Sequence, residues 1–325
     1  VTKHRTAVVL FNLGGPDSLA AVRPFLYNLF SDPDIFKFPL AFITQKLFAA
    51  LVSRRREHEA AKGYAAIGGK SPLLENTQAQ AIALQLALGD AGAPDVYVCM
   101  RYWHPLTDAV VAELKKKGYE ELVLLPLYPQ YSTTTTGSSY NEFQRQCRRQ
   151  DYRPAMHLVP PWYAHPDYQR AIVECLRAEL AKFPDANPVH TQVLFSAHGL
   201  PQKIVDGGDP YADQIRATYE SVREKLGWPH MTLCFQSRVG PLEWLRPYTE
   251  DVIREKAAAG AKQILVYPIA FVSDHTETLY ELGITYAELA QRLGVAHYRV
   301  TPALNDHPLL IRALKQLVLE ALGKP

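Results

Sequence analysis

Cysteine is scarce in this sequence. Only four occur in 325 residues, namely Cys99, Cys147, Cys175 and Cys234, and none forms a C-x-x-C pair. That spacing excludes a zinc ribbon and a disulfide framework, and it fits a reducing, cytoplasmic setting. An excess of charge of one sign is also missing. Against 35 Lys and Arg stand 33 Asp and Glu, a net charge of +2, so no general field draws in a polyanion and nucleic acid is not an expected partner. Long apolar runs are absent too: the most apolar extended stretch, Ile35 to Val52, is broken by Lys37, Gln45 and Lys46, and does not read as a membrane span. The opening VTKHRTAVVLFNLGGP carries a short apolar run that ends in Gly14-Gly15-Pro16, and it reads as a first strand and not as a signal peptide. Gly14-Gly15-Pro16 is glycine-rich but does not read as a phosphate cradle, because neither G-x-G-x-x-G nor G-K-[ST] occurs there and Pro16 removes a backbone N–H. No G-x-S-x-G elbow supports a serine nucleophile at Ser196.

What is present is alternation. Apolar runs of strand length at Ala7 to Leu13, Asp95 to Met100 and Glu121 to Leu127 are each followed by a helical pattern. The second half repeats this with Gln192 to Ala197, Met231 to Gln236 and Ile264 to Val272. Such alternation predicts an α/β fold of parallel sheets with crossover helices, and 325 residues suggest two domains. VLFNLGGP parallels VLFSAHGLP, and LVLLPLYPQYS parallels ILVYPIAFVS, which predicts two similar lobes. The expected division is 1–160 and 161–325, with PPWYAHP as the linker. The first lobe carries extra chain, including an apolar, helix-capable lip over about 35–56 that ends in Arg54, Arg55 and Arg56. It fits either a core helix with a solvated basic end or a segment that touches a membrane surface or a hydrophobic ligand.

The stretch Ile264 to Tyr286 carries the densest chemistry. A run of the kind buried on both faces stops at Ser273, and Asp274, Glu277, Glu281 and Glu288 follow at spacings that place four carboxylates along one side of a helix. Asp274 and Glu277 also match a capping box, which would need no ligand at all. The position just past a strand's carboxyl end is where open α/β sheets hold ligands. His198, in FSAHGLP, occupies the same kind of position, and its imidazole suits proton transfer near neutrality. Tyr128, Tyr131, Ser132 and Thr133 to Thr136 make a hydroxyl-rich loop suited to turn formation or to carboxylate binding. Arg101 and Arg145 are candidate anion partners.

FNLGGP, IGGKSPL, RYWHPLT, YPQYSTTTTGSS, FSAHGLP, GGDPY, FQSRVGPLEWL and AFVSDHTETLYELGI occur in order, and together they resemble the ferrochelatases, which insert ferrous iron into a porphyrin. The resemblance implies two Rossmann-like lobes of chelatase type with a porphyrin cleft between them. It implies that His198 and Glu277 are catalytic and metal-contacting, with Glu281 and Glu288 on a path for protons or iron. It places Leu13, Arg101, Tyr102, Tyr128, Ser132, Arg145, Trp244, Phe271, Asp274 and His275 near the macrocycle or its propionates. Iron is then a substrate, with no resident cofactor, and the absence of a cysteine-bearing extension leads to the expectation of no iron–sulfur cluster. The lip favours protoporphyrin over coproporphyrin and a peripheral contact with the inner membrane. Position 13 is Leu where relatives carry Met or Tyr, and Gly283 stands where animal forms have an acid. A porphyrin carrier without catalysis is the alternative that the residues leave open.

Overall fold

A computed structural model describes residues 5–36, 41–89, 93–185 and 190–324. Two compact units are present, Val1–Pro161 together with Ile311–Pro325, and Trp162–Leu310.

In the first unit, β1 (Thr6–Asn12), β2 (Asp95–Met100), β3 (Glu121–Pro126) and β4 (Ala155–Leu158) form one parallel sheet in the order β2-β1-β3-β4. The second unit repeats the plan with β5 (Thr191–His198), β6 (Met231–Gln236), β7 (Gln263–Pro268) and β8 (His297–Val300), ordered β6-β5-β7-β8. In each sheet the chain runs first to the centre, then to one side, then to the other, so the strand order reverses beside β1 and beside β5. Ligands are held at the carboxyl ends of strands at such reversals.

The central strands are apolar because helices cover both faces. Every residue of β7 is buried, as are Ala7 to Asn12 of β1. Val9, Phe11, Leu122, Leu124 and Phe143 anchor the core of the first unit, and Leu194, Ile253, Ile264, Val266 and Leu282 that of the second. Each fully buried side chain of this size contributes about 1.5–3 kcal/mol. The edge strands β4 and β8 are four residues long and only half-buried.

Residues 37–40 of the lip lie outside the described residues. Past them, the helix Ala41–Ala66 buries part of its apolar surface and exposes the rest. Ala49 and Tyr64 are buried in a cluster with Phe25 and Phe30, with Phe48 and Val52 packed against it, while Leu47 and Leu51 stay 67% and 70% exposed.

Candidate active site

One polar cluster of the second unit is assembled at the ends of three neighbouring strands. His198 is the last residue of β5, Ser237 follows the last residue of β6, and Glu277 opens the helix that comes after β7. That helix, Glu277–Thr285, is wound as a π-helix and runs on as an α-helix over Tyr286–Arg292. A π turn closes from i to i+5 and is uncommon outside functional sites.

His198 Nδ1 lies 2.8 Å from Glu277 Oε2. In the neutral ring this bond places the proton on Nδ1, which leaves the Nε2 lone pair free. The Ser237 hydroxyl donates to Glu277 Oε2 at 3.3 Å and also to Glu281 Oε2, and the Ser237 N–H donates to Glu281 Oε1 at 3.0 Å. Ser237 makes these bonds from a left-handed backbone, φ 65°, a conformation that costs a non-glycine residue energy and persists only where its surroundings hold it. Tyr286 donates to Glu281 Oε1 at 3.1 Å, and Tyr211 donates to the His198 carbonyl at 2.8 Å.

The charges follow from this packing. Burial works against an imidazolium at His198, but the adjacent Glu277 carboxylate outweighs it and raises the ring's pKa above the ordinary 6.5. Burial likewise opposes ionisation of Glu277, and the charge and hydrogen bond of His198 overcome it, holding the carboxyl at about 2. Glu281 moves the other way, raised by burial and then by the charge on Glu277. Two carboxylates on one serine therefore differ in proton affinity, Glu281 taking a proton more readily than Glu277. The pair is not sealed off, since 35% of the His198 side chain and 23% of that of Glu277 remain exposed.

Apolar walls flank the pair. The rings of Trp244 and Phe271 lie 6.5 and 6.3 Å from the His198 ring, both edge-on. Gly199 permits the approach of Trp244, because a Cβ there would lie 2.9 Å from the Gln236 carbonyl oxygen and 3.2 Å from Trp244 Cε3. His275 is buried, packs on Phe271 at 4.2 Å and sits 4.0 Å from Glu277 Oε2. Burial lowers its pKa below the ordinary 6.5.

The single carboxylate stripe read from spacing does not form. Asp274 precedes the helix, and its carboxylate accepts from Thr278 Oγ1 at 2.9 Å, Asn305 Nδ2 at 2.8 Å and the Ala303 N–H at 3.2 Å. It pins a loop. Glu288 lies beyond the π turn on the following α-helix, 62% exposed and 4.0 Å from Arg292. The change of helical winding is the reason: a count of 3.6 residues per turn does not survive a π segment. Thr276, the residue before the helix, makes no side-chain cap.

The remaining expected residues belong to the first unit. Leu13 is half-buried against the cluster of Val22, Phe25 and Tyr102. Tyr102 is wholly buried and donates to Asp32 at 2.5 Å. Arg101 pairs with Asp32 at 3.0 Å, and Arg145 with Asp34 at 2.7 Å and Glu142 at 2.8 Å. Among the described residues no hydrogen bond within ordinary geometry engages the buried hydroxyl of Tyr128, which lies beside Ser139. Ser132 is buried, and its Oγ caps the turn Thr133–Gly137 by accepting from the Thr134 N–H at 3.1 Å. Of the hydroxyl-rich loop, this serine thus serves turn formation. Ser237 and Asp32 were not singled out by sequence reasoning: the first lay inside FQSRVGPLEWL and the second in SDPD, and only folded geometry gives them partners.

Among the described residues no group of three or more His, Cys, Asp or Glu side chains has the geometry to hold a metal ion. The cluster offers a cation an imidazole and carboxylates, ligand types that ferrous iron accepts.

The family model described as Ferrochelatase matches residues 5–322. A ferrochelatase of Cyanothece sp. is 47% identical over 326 residues, covering 99% of this chain and 84% of that protein. One of Synechocystis sp. is 45% identical over 330 residues, covering 99% and 84%. Among solved structures, SirB from Bacillus subtilis with Fe3+ superposes with a TM-score of 0.57 at 11% identity, covering 98% of this chain and 95% of that one. CbiX, the terminal enzyme of sirohaem biosynthesis in denitrifying bacteria, gives a TM-score of 0.51 at 12% identity, covering 98% and 99%. These two likenesses bear on the fold, which is that of the chelatases. With a family match over nearly the whole chain and relatives close to half identical along it, the chain belongs to the ferrochelatase family.

Proposed function

We propose that this chain inserts Fe2+ into protoporphyrin IX, giving protohaem and releasing two protons, with His198 and Glu277 at the reacting centre. Iron is a substrate in this reading, and no resident cofactor takes part. The observation that carries it is the His198–Glu277 pair, 2.8 Å apart and flanked by Trp244 and Phe271, in a chain of this family.

Metallation must strip two pyrrole N–H protons while the metal sheds water, so a base has to stand near the ring centre. Neutral His198 presents Nε2 for that purpose while Glu277 fixes its tautomer and orientation. Glu277, ionised across the working range, stabilises the imidazolium that results. Glu281, joined to Glu277 through the Ser237 hydroxyl, is the next acceptor for a proton, or the next oxygen for iron. The apolar rings beside His198 suit a flat guest and hold it by burial, using binding energy to favour a bent macrocycle.

One further reading accompanies this one. Leu47 and Leu51, one helical turn apart and exposed, beside Arg54, Arg55 and Arg56, support a peripheral contact of a cytoplasmic protein with a membrane surface. No helix among the described residues is long and apolar enough to cross one.

The test is an anaerobic assay of Fe2+ or Zn2+ insertion with protoporphyrin and with coproporphyrin. The expected result is collapse of the four visible Q bands to two, faster with protoporphyrin. A shift of the Soret band without collapse of the Q bands would make the protein a carrier instead.

A further inference from the structure

In the first unit the strand β2 ends at Met100, and the next residue, Arg101, stands where parallel sheets present ligand-binding groups. Its guanidinium is held from two sides. Nη2 pairs with Asp32 Oδ1 at 3.0 Å and Nε donates to Ser138 Oγ at 2.7 Å, while its Cζ lies 5.0 Å from the centre of the Tyr102 ring. No hydrogen bond engages Nη1 among the described residues, and 11% of the side chain remains exposed. Two of the three nitrogens are committed, and the third is the edge left for an acceptor.

Asp32 is the centre of this arrangement. Its side chain is wholly buried. Oδ1 accepts from Arg101 and, at 2.8 Å, from the Asp34 N–H, while Oδ2 accepts from Tyr102 Oη at 2.5 Å and from Ser138 Oγ. A carboxylate with this many donors cannot turn, and neither can the arginine it holds. Ser138 closes the ring, since its hydroxyl accepts from Arg101 and donates to Asp32. A buried charge pair is weak as a source of stability but strong as a constraint on geometry, because losing either partner strands the other. Guanidinium recognises carboxylate through directed N–H bonds, so its orientation decides affinity.

We infer that Asp32 is a positioning residue for substrate recognition: with Ser138 it fixes Arg101 so that Nη1 meets a carboxylate on the edge of the porphyrin. The inference rests on the porphyrin reading above and adds the residues that set selectivity for an acidic over an esterified macrocycle.

The experiment measures the Kd of the full chain for free-base protoporphyrin IX and for its dimethyl ester, by Soret titration in the same detergent, with melting temperature recorded alongside. Wild type should bind the diacid more tightly than the ester. Asp32→Ala should weaken the diacid about tenfold, the size of one charged hydrogen bond, and shift the ester by less than about twofold. Asp32→Asn keeps an oxygen for Arg101 and can donate from its amide to the Tyr102 and Ser138 hydroxyls, which also accept, so it should restore diacid binding to within about threefold. Should Asp32→Ala fail to fold, Ser138→Ala removes the Nε acceptor and one of the donors to Asp32, and should weaken only the diacid. Equal binding of the two porphyrins by wild type, or parallel loss of both in Asp32→Ala or Ser138→Ala, would overturn the inference, and so would unchanged diacid binding in those variants. Binding without metallation by wild type would sink the ferrochelatase reading and leave this one standing. No binding of either porphyrin would sink both.

Discussion

At the scale of single residues the account turns on two opposed shifts. The raised pKa of His198 means its pairing contributes stability that is complete below 6.5 and is lost as pH climbs through the raised value. The lowered pKa of Glu277 contributes stability that is present above 4.5 and is lost as pH falls toward about 2. The pair is therefore at full strength between those two ordinary values. The difference in melting temperature between wild type and Glu277→Gln should be greatest from pH 4.5 to 6.5 and should shrink on either side. Catalysis has the other dependence, because only the neutral imidazole accepts a proton. The rate of metallation should rise with pH through an inflection above 6.5. In Glu277→Gln burial remains without the opposing charge, so the inflection of any residual activity should move down; an upward move would contradict the assignment. Both residues were legible as candidates before folding, His198 from its place after an apolar run and Glu277 from the acid-rich spacing past another, with the family motifs singling out the two together. Their bond was not, since 79 positions separate them.

At the scale of elements, the strands of both sheet centres are legible from their apolar runs, because a strand covered on both faces has no polar alternation to blur the signal. β4 and β8 are not: AMHL and HYRV are short, half-buried and carry polar residues at the sheet edge. The acidic helix was legible as a helix but not as a π-helix, so Glu288 was grouped with Glu277 and Glu281 although the winding separates it, and Asp274 was grouped with them although it precedes the helix. Close packing around the site gives a direct check on the local geometry. Gly199→Ala forces a methyl against the Gln236 carbonyl and Trp244, and should cost about 1–3 kcal/mol in urea unfolding and shift the Trp244 fluorescence. A neutral outcome would mean that the β5 loop and Trp244 are not packed as described.

At the scale of the whole molecule, the two sheets share one strand order, and the short parallels between the halves were the visible trace of it. The lip shows where sequence reading stops. Its apolar residues divide between a buried side and an exposed side, and composition alone cannot assign them. If Leu47 and Leu51 dip into a membrane surface, the double variant Leu47→Ser, Leu51→Ser should lose co-flotation with anionic vesicles while its metallation of detergent-dispersed porphyrin stays within about twofold; wild-type co-flotation of the variant would place the contact elsewhere.

The most direct test of the central claim compares wild type with His198→Ala in anaerobic metallation of protoporphyrin, with porphyrin affinity measured in parallel. Loss of a general base predicts metallation slower by about 10²- to 10⁴-fold with porphyrin still bound. Metallation within about tenfold of wild type by His198→Ala would contradict the account, because the proton acceptor would then be some other group.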